Sequence, residues 1–111
     1  MIIPSVSWIS TASAAALAGA SVKFADIVSP TLCIDPSSIK KLVTTNTAAV
    51  VVVHLFGRPV DGIIELSEWL KERNIFLIED CAHAIGAIDG SGQTCGTIGD
   101  ISSTEEYGDT W

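Results

Sequence analysis

The sequence predicts an α/β domain with a mostly parallel sheet and flanking helices. Two short apolar runs, residues 48–56 and 75–78, have the length and the apolar content of strands buried in such a sheet. An amphipathic helix is predicted between them, and the order strand, helix, strand is typical of a right-handed βαβ unit. Because ligands of open α/β sheets lie just past the carboxyl ends of the strands, we expect the functional site there.

The composition is that of one folded domain and argues against several functions. Apolar residues make up 48% of the 111 residues and charged residues 17%, so disorder is not expected. The net charge of −7 argues against nucleic acid or an anionic membrane surface as a partner. No apolar run approaches the roughly 18 residues of a membrane span, and the alanine-rich start lacks the basic region of a signal peptide. We therefore expect a soluble, cytoplasmic protein.

The cysteines predict neither a disulfide framework nor a metal site. Cys33, Cys81 and Cys95 are odd in number, and their spacing matches neither a C-x-x-C motif nor a metal-ligand pattern. Reduced thiols are the expectation for such a set in a cytoplasmic protein.

The first half of the chain predicts short strands alternating with helices. Residues 1–4 predict the end of a strand that Pro4 closes, and residues 10–18 an alanine-rich helix that Gly19 ends. Residues 21–27 alternate in polarity, which is typical of a half-exposed strand near a sheet edge. Asp35 and Pro36 mark the N-cap and first turn of a helix that ends near Val43.

The second half contains the most apolar strand and the best-defined helix. Residues 48–56 predict a central strand, and we expect the His54 ring near its end to hydrogen-bond to neighbouring backbone rather than to a ligand. Asp61 can cap the helix that follows. The apolar stripe that this helix turns to the core, with Trp69 as a core residue, consists of Ile63, Ile64, Leu66, Trp69 and Leu70.

A glycine-rich segment and a last short strand follow. The spacing of glycines over residues 86–100 predicts tight turns rather than a phosphate-binding loop, because neither G-x-G-x-x-G after a strand nor a G-K-[ST] ending is present. Residues 101–107 predict one more strand.

Asp80 and His83 stand where the site is expected, just after the strand of residues 75–78. Their spacing leaves two interpretations open. The two side chains can form a site at the strand end, or Asp80 only caps the following turn and His83 is an ordinary loop histidine.

Six segments of the chain form an ordered set of motifs: residues 4–14 (PSVSWISTASA), 26–27 (DI), 34–36 (IDP), 54–59 (HLFGRP), 78–87 (IEDCAHAIGA) and 96–101 (GTIGDI). In order and spacing they resemble the DegT or StrS family of nucleotide-sugar aminotransferases, which depend on pyridoxal 5′-phosphate and have the aspartate aminotransferase fold. The resemblance implies that residues 1–111 are a fragment of the three-layer large domain. It also implies that an N-terminal phosphate-binding turn and a C-terminal small domain are absent.

The resemblance also implies a chemistry and the residues that carry it. Asp80 would pair with the protonated pyridine nitrogen of the cofactor, His83 would contact its phenolic oxygen, and Trp8 would stack on its ring. The reaction would move an amino group from glutamate to a keto sugar linked to a nucleotide, in the biosynthesis of polysaccharides or secondary metabolites. Family members are homodimers with their active sites at the subunit interface.

The chain departs from the family where the cofactor is covalently held. Alignment on residues 107–109 puts Glu105 at the family's phosphate-binding serine and Thr110 at its Schiff-base lysine. Threonine cannot form an imine, and a carboxylate repels a phosphate. We therefore expect no catalytic residue in this chain and a truncated, inactive remnant of a transaminase. Two alternatives remain: a non-catalytic module that binds pyridoxal phosphate or a nucleotide sugar, and one part of a split enzyme.

Overall fold

The computed structural model describes residues 1–104 and has an α/β fold, with one five-stranded sheet flanked by helices. Neighbouring strands are parallel throughout this sheet, in the order β2-β1-β3-β4-β5. The elements are β1 (Ile2–Pro4), α1 (Ile9–Leu17), β2 (Lys23–Ala25), α2 (Pro36–Leu42), β3 (Ala49–Val53), a 3₁₀ turn (Leu55–Gly57), α3 (Ile63–Lys71), β4 (Phe76–Asp80) and β5 (Ile101–Ser103).

The predicted order of elements is confirmed. The apolar run of residues 48–56 supplies β3, which lies at the centre of the sheet, and the alternating segment supplies β2 at its edge. β3 and β4 run parallel on either side of α3 in the chain, with Val53 opposite Asp80. β5 covers only the first part of the predicted last strand, and the rest of that prediction, from residue 105, lies outside the described residues.

The main core lies between one face of the sheet and the two later helices. Because side chains alternate along a strand, every second residue of β3 and β4 points to this face. The residues that meet there are almost completely buried: Val50, Val52 and Leu77 from the strands, Ile39 from α2, and Leu66 and Leu70 from α3.

The opposite face is only partly covered. α1 lies across its centre and, with Val51 and Ile78, lines a groove of about 370 Å³. Beyond α1 the apolar side chains of Phe24, Phe76 and Ile101 are exposed, each by more than half. The prediction that residues 75–78 form a buried strand is therefore wrong at Phe76, which is 59% exposed.

Two predicted helix caps have different outcomes. Asp35 caps α2 as expected, because its Oδ1 accepts a hydrogen bond of 2.9 Å from the N–H of Ser37. The expectation that Asp61 caps α3 is wrong. The N-cap is Gly62, which takes a left-handed conformation with φ of 74° and forms no side-chain hydrogen bond.

Trp69 packs against the core from α3 but stays partly exposed. The guanidinium of Arg73 stacks 3.7 Å from the ring centroid, and the Lys40 amine lies 5.6 Å from it. The described part of the chain contains no helix with the length and apolar character needed to cross a membrane.

Candidate functional site

A cavity of about 190 Å³ lies where the carboxyl ends of β3 and β4 meet the start of α1. It brings together all three residues assigned to the cofactor by resemblance, Trp8, Asp80 and His83, although the segments that carry them are far apart in the chain. The full lining is Ser7, Trp8, Ser10, Val53, Leu55, Asp80, Ala82 and His83.

Asp80 ends β4 and is held there on both sides of its backbone. Its carbonyl oxygen accepts a hydrogen bond from the N–H of His54, and it pairs with Ser103 of β5. In its side chain, Oδ1 accepts a hydrogen bond of 3.1 Å from the N–H of Ala82. Among residues 1–104, Oδ2 accepts no hydrogen bond and is free for a ligand in the cavity. Both interpretations of Asp80 are thus compatible, because one oxygen caps the turn while the other remains available.

His83 is fixed by the loop that follows β3. The N–H of Phe56 donates to its Nδ1 over 3.3 Å, and the two rings stack with centroids 5.9 Å apart and planes 7° from parallel. Since Nδ1 is the acceptor, we assign the ring proton of the neutral imidazole to Nε2, which is then a donor. The contact is close, because a Cβ on Gly57 would stand 3.1 Å from the carbonyl oxygen of His83.

Trp8 immediately precedes α1 and has a largely exposed indole, with 75% of the residue's surface accessible. A hydrogen bond of 2.7 Å between the hydroxyls of Ser7 and Thr11 fixes the turn that presents it. The aromatic surface is therefore available at the cavity wall, and its stacking role stays a prediction.

A buried hydrogen-bond network lies directly behind Asp80, and its central residue, Glu79, was not predicted from the sequence. The expectation for His54 is only partly correct. Its Nδ1 accepts a hydrogen bond from the backbone of Val60 at 3.1 Å, but its Nε2 contacts Oε2 of Glu79 at 3.2 Å. Neither residue is accessible to solvent. The sequence signal for this network is a glutamate at a buried position of a strand, because a buried carboxylate requires hydrogen-bond partners.

Glu79 finds its other partners in the glycine-rich segment. Oε1 accepts hydrogen bonds from the N–H groups of Ile98, at 2.9 Å, and Gly99, and Oε2 accepts one from Gly96. Burial raises the pKa of this carboxyl, but the hydrogen bonds from His54 and the three backbone groups outweigh that effect. The pKa of Glu79 is therefore below its ordinary value.

His54, Glu79 and Cys81 also form a cluster whose potential metal-ligand atoms lie within 4.8 Å of one another. The donor set is unsuited to a metal ion. Both oxygens of Glu79 already accept hydrogen bonds, and burial together with the charge of Glu79 raises the pKa of the Cys81 thiol to about 12. A metal ion binds the thiolate rather than the thiol, so this cluster is a hydrogen-bonded network.

Comparison with known proteins supplies the family. A model of the DegT/DnrJ/EryC1/StrS aminotransferase family matches residues 1–106. The chain belongs to this family. The match includes every residue that lines the cavity. Thr110 lies beyond the match and outside the described residues, whereas Glu105 lies within the match but also outside the described residues.

Relatives in the family are longer than this chain. L-glutamine:2-deoxy-scyllo-inosose aminotransferase of Streptomyces kanamyceticus is 40% identical over 103 residues, which are 93% of this chain and 24% of that protein. GDP-perosamine synthase of Escherichia coli O157:H7 is 37% identical over 97% of this chain and 29% of its own length. The chain thus spans about a quarter of the length of the curated relatives that it matches.

Solved structures of family members share the fold. GDP-4-keto-6-deoxymannose-3-dehydratase (ColD), in an H188N mutant with bound GDP-perosamine, has a TM-score of 0.83 and 35% identity over 93% of this chain and 26% of that protein. A sugar aminotransferase of Streptococcus pneumoniae, solved in its PLP-form, has a TM-score of 0.80 and 26% identity, over 93% of this chain and 30% of its own. The family match and these structures confirm the predicted family and fold class.

Proposed function

We propose that this chain is part of the cofactor-binding domain of an aminotransferase that uses pyridoxal 5′-phosphate. The observation that carries the proposal is the cavity at the ends of β3 and β4, where Trp8, Asp80 and His83 come together. Its groups fit the ring of the cofactor. Asp80 offers a carboxylate for a protonated ring nitrogen, His83 an N–H for a phenolic oxygen, and Trp8 an aromatic surface.

When bound, the cofactor supplies an electron-withdrawing ring. The residues of the chain hold that ring and tune it. The negative charge of Asp80 favours a proton on the ring nitrogen, because an opposite charge stabilises the charged form of its partner. The Nε2–H of His83 favours the ionised form of a phenolic oxygen by donating a hydrogen bond to it. Val53 and Leu55 line the same cavity and make part of its wall apolar.

The proposed substrate is a ketone on a sugar or a sugar-like ring. The printed names of the relatives support this class, with a nucleotide-linked sugar in GDP-perosamine synthase and a cyclic ketone in 2-deoxy-scyllo-inosose aminotransferase. The proposed amino donor is glutamate, as the resemblance implies, or L-glutamine, which is part of the full name of L-glutamine:2-deoxy-scyllo-inosose aminotransferase. A homodimer is proposed on the same ground of family membership.

A second candidate function is binding without turnover, and the positions of the lysines favour it. The chain has four lysines, and none lines the cavity. Lys23 is on the edge strand β2, Lys40 and Lys41 are on α2, and Lys71 ends α3. Covalent attachment of the cofactor therefore needs a lysine from outside residues 1–111. Without one, we propose that this chain is inactive by itself, and with one it is part of a split enzyme.

The test is a titration of the purified chain with pyridoxal phosphate, followed by absorbance, borohydride reduction and mass analysis. We expect the wild type to bind pyridoxal phosphate non-covalently. Asp80→Asn should weaken this binding about tenfold or more, because it removes one charged contact. Asp61→Asn is the matched control, since Asp61 is exposed and lies away from the cavity. Equal binding by Asp80→Asn and the wild type would refute the assignment of the ring nitrogen to Asp80.

The reduction step separates the two candidates. A specific adduct on one lysine would contradict non-covalent binding and would support catalysis by this chain alone. Scattered adducts, or none, together with binding that depends on Asp80, support the second candidate. No binding at all would refute both for the isolated chain.

A further inference from the structure

The carboxylate of Glu79 is saturated by hydrogen bonds, although it lies next to the site. Its neighbour Asp80 points to the opposite face of β4, as adjacent strand residues do. Two donors approach each oxygen of Glu79: His54 and Gly96 at Oε2, and Ile98 and Gly99 at Oε1. A carboxylate has about four acceptor positions, and all are used. Glu79 itself therefore binds no ligand, and its partners show what it does.

The first partner, His54, connects Glu79 to the loop that holds His83. Nδ1 of His54 accepts from Val60, so its Nε2 carries the proton that it donates to Glu79. The backbone N–H of His54 donates to the carbonyl of Asp80. Two residues further on, the N–H of Phe56 donates to His83. A displacement of His54 would thus be transmitted to both of these cavity residues.

The other partners connect Glu79 to the strand beside Asp80. The segment that carries Gly96, Ile98 and Gly99 leads directly into β5. There Asp100 exchanges two hydrogen bonds of 2.8 Å with Leu77, one through its N–H and one through its side chain. The N–H of Cys81 then donates to the carbonyl of Ser103, which fixes the chain immediately after Asp80.

We propose that Glu79 is a positioning residue for the cofactor site, which acts by tying the loop after β3 and the segment before β5 to the strand end that carries Asp80. This inference rests on the proposed function for its meaning, because the positioned groups are those assigned to the cofactor. Glu79 touches no cofactor in this arrangement. It holds the backbone from which the Asp80 carboxylate and the His83 imidazole enter the cavity.

The test uses the full chain and reads both the network and the site. Four variants are compared with the wild type: Glu79→Gln, His54→Leu, His54→Gln, and Glu68→Gln as an exposed control on α3. Hydrogen exchange of the Gly96, Ile98 and Gly99 amides in the cofactor-free chain, followed by NMR, reports the network. The chemical shifts of the Ala82 and Phe56 amides, which bond to Asp80 and His83, report the site, as does the affinity for pyridoxal phosphate.

The expected result distinguishes hydrogen bonding from packing. In Glu79→Gln the network amides exchange at least about tenfold faster, as for loss of one charged hydrogen bond, and both site amides shift. The affinity for pyridoxal phosphate falls about as much. His54→Leu has similar effects because the leucine side chain has no polar atoms to bond to Glu79 or to Val60. His54→Gln, which keeps one donor and one acceptor, restores affinity to within about threefold of the wild type. Glu68→Gln changes nothing.

Three results decide against the proposal. Unchanged exchange at the network amides in Glu79→Gln would refute the network. Faster exchange with unchanged site amides and unchanged affinity would show that Glu79 stabilises only its own loop. Equal effects of His54→Gln and His54→Leu would show that packing matters and hydrogen bonding does not.

Two further results keep the outcome unambiguous. Should Glu79→Gln give no dispersed NMR spectrum, the two His54 variants decide on the same signals. Should the wild type bind no pyridoxal phosphate, the proposed function fails, and the site amides of the cofactor-free chain still test whether Glu79 positions Asp80 and His83.

Discussion

Among the glycines of residues 1–104, Gly99 is the one where an added Cβ would make the closest contact. A Cβ at this residue would lie 2.8 Å from the carbonyl oxygen of Leu77 and 3.2 Å from Cγ of Glu79. The cost arises from lack of space, since Gly99 is not among the glycines with positive φ. The Leu77 carbonyl is backbone within β4 and accepts a hydrogen bond from Asp100, so it cannot move aside without separating β4 from β5.

The magnitude follows from two contributions. Overpacking a closed site costs about 1 to 3 kcal/mol, and losing the charge-assisted hydrogen bond from Gly99 to Glu79 costs about 1.5 to 3 kcal/mol. Because relief of one contribution lessens the other, we expect Gly99→Ala to lower the free energy of unfolding by about 3 to 4 kcal/mol. That loss is a large part of the roughly 5 to 15 kcal/mol by which a domain is usually stable.

Urea unfolding followed by tryptophan fluorescence measures this loss. Gly90→Ala is the matched control, because a Cβ there meets no atom within 4 Å and Gly90 also lacks a positive φ. We expect the control to stay within about 0.5 kcal/mol of the wild type. A Gly99→Ala variant as stable as Gly90→Ala would refute the close packing of Gly99 against Leu77 and Glu79.

Three other predictions concern single side chains. Because the pKa of Glu79 is lower in the folded chain, its ionised carboxylate stabilises the fold fully at pH values above the ordinary pKa of 4.5. This stabilisation is lost as the pH falls from 4.5 through the lowered pKa, so the urea midpoint should drop on acidification and should drop less in Glu79→Gln. Cys81, with its thiol pKa raised to about 12, should react with iodoacetamide much more slowly at pH about 8 in the folded chain than in urea, and rapid labelling in the folded chain would contradict its burial. Trp8→Ala should change the unfolding free energy by less than about 0.5 kcal/mol because the side chain is largely exposed, yet weaken binding of pyridoxal phosphate, whereas Trp8→Phe should keep most of the affinity. Full affinity in Trp8→Ala would eliminate stacking.

The residues at the strand end could be predicted because their signal is local. β4, which ends at Asp80, and the nearby His83 belong to one continuous stretch of sequence, and the end of a parallel strand indicates a site. The cap at Asp35 is local in the same way and is confirmed. The cap at Asp61 failed because Gly62 already supplies the turn, and a glycine in the left-handed conformation leaves no role for that side chain.

Glu79 shows why the rest of the site could not be predicted. It lies in the same stretch as Asp80, but the side chain and backbone groups that it binds are 17 to 25 residues away in sequence. The glycine-rich segment carried only a prediction of tight turns, and nothing in its spacing indicates that its N–H groups converge on one carboxylate. Similarly, Phe56 gave no signal as the donor to His83 until the two loops were adjacent.

The sequence by itself determined the order of strands and helices, the family and the strand end that carries the site, because apolar periodicity, caps and motifs are properties of neighbouring residues. The tertiary structure decided which loops meet behind that strand end, which oxygen of Asp80 stays free, and how much of the sheet α1 leaves uncovered. These features depend on contacts between segments that are distant in the chain, and the free energy that selects such contacts is gained only when the sheet has formed.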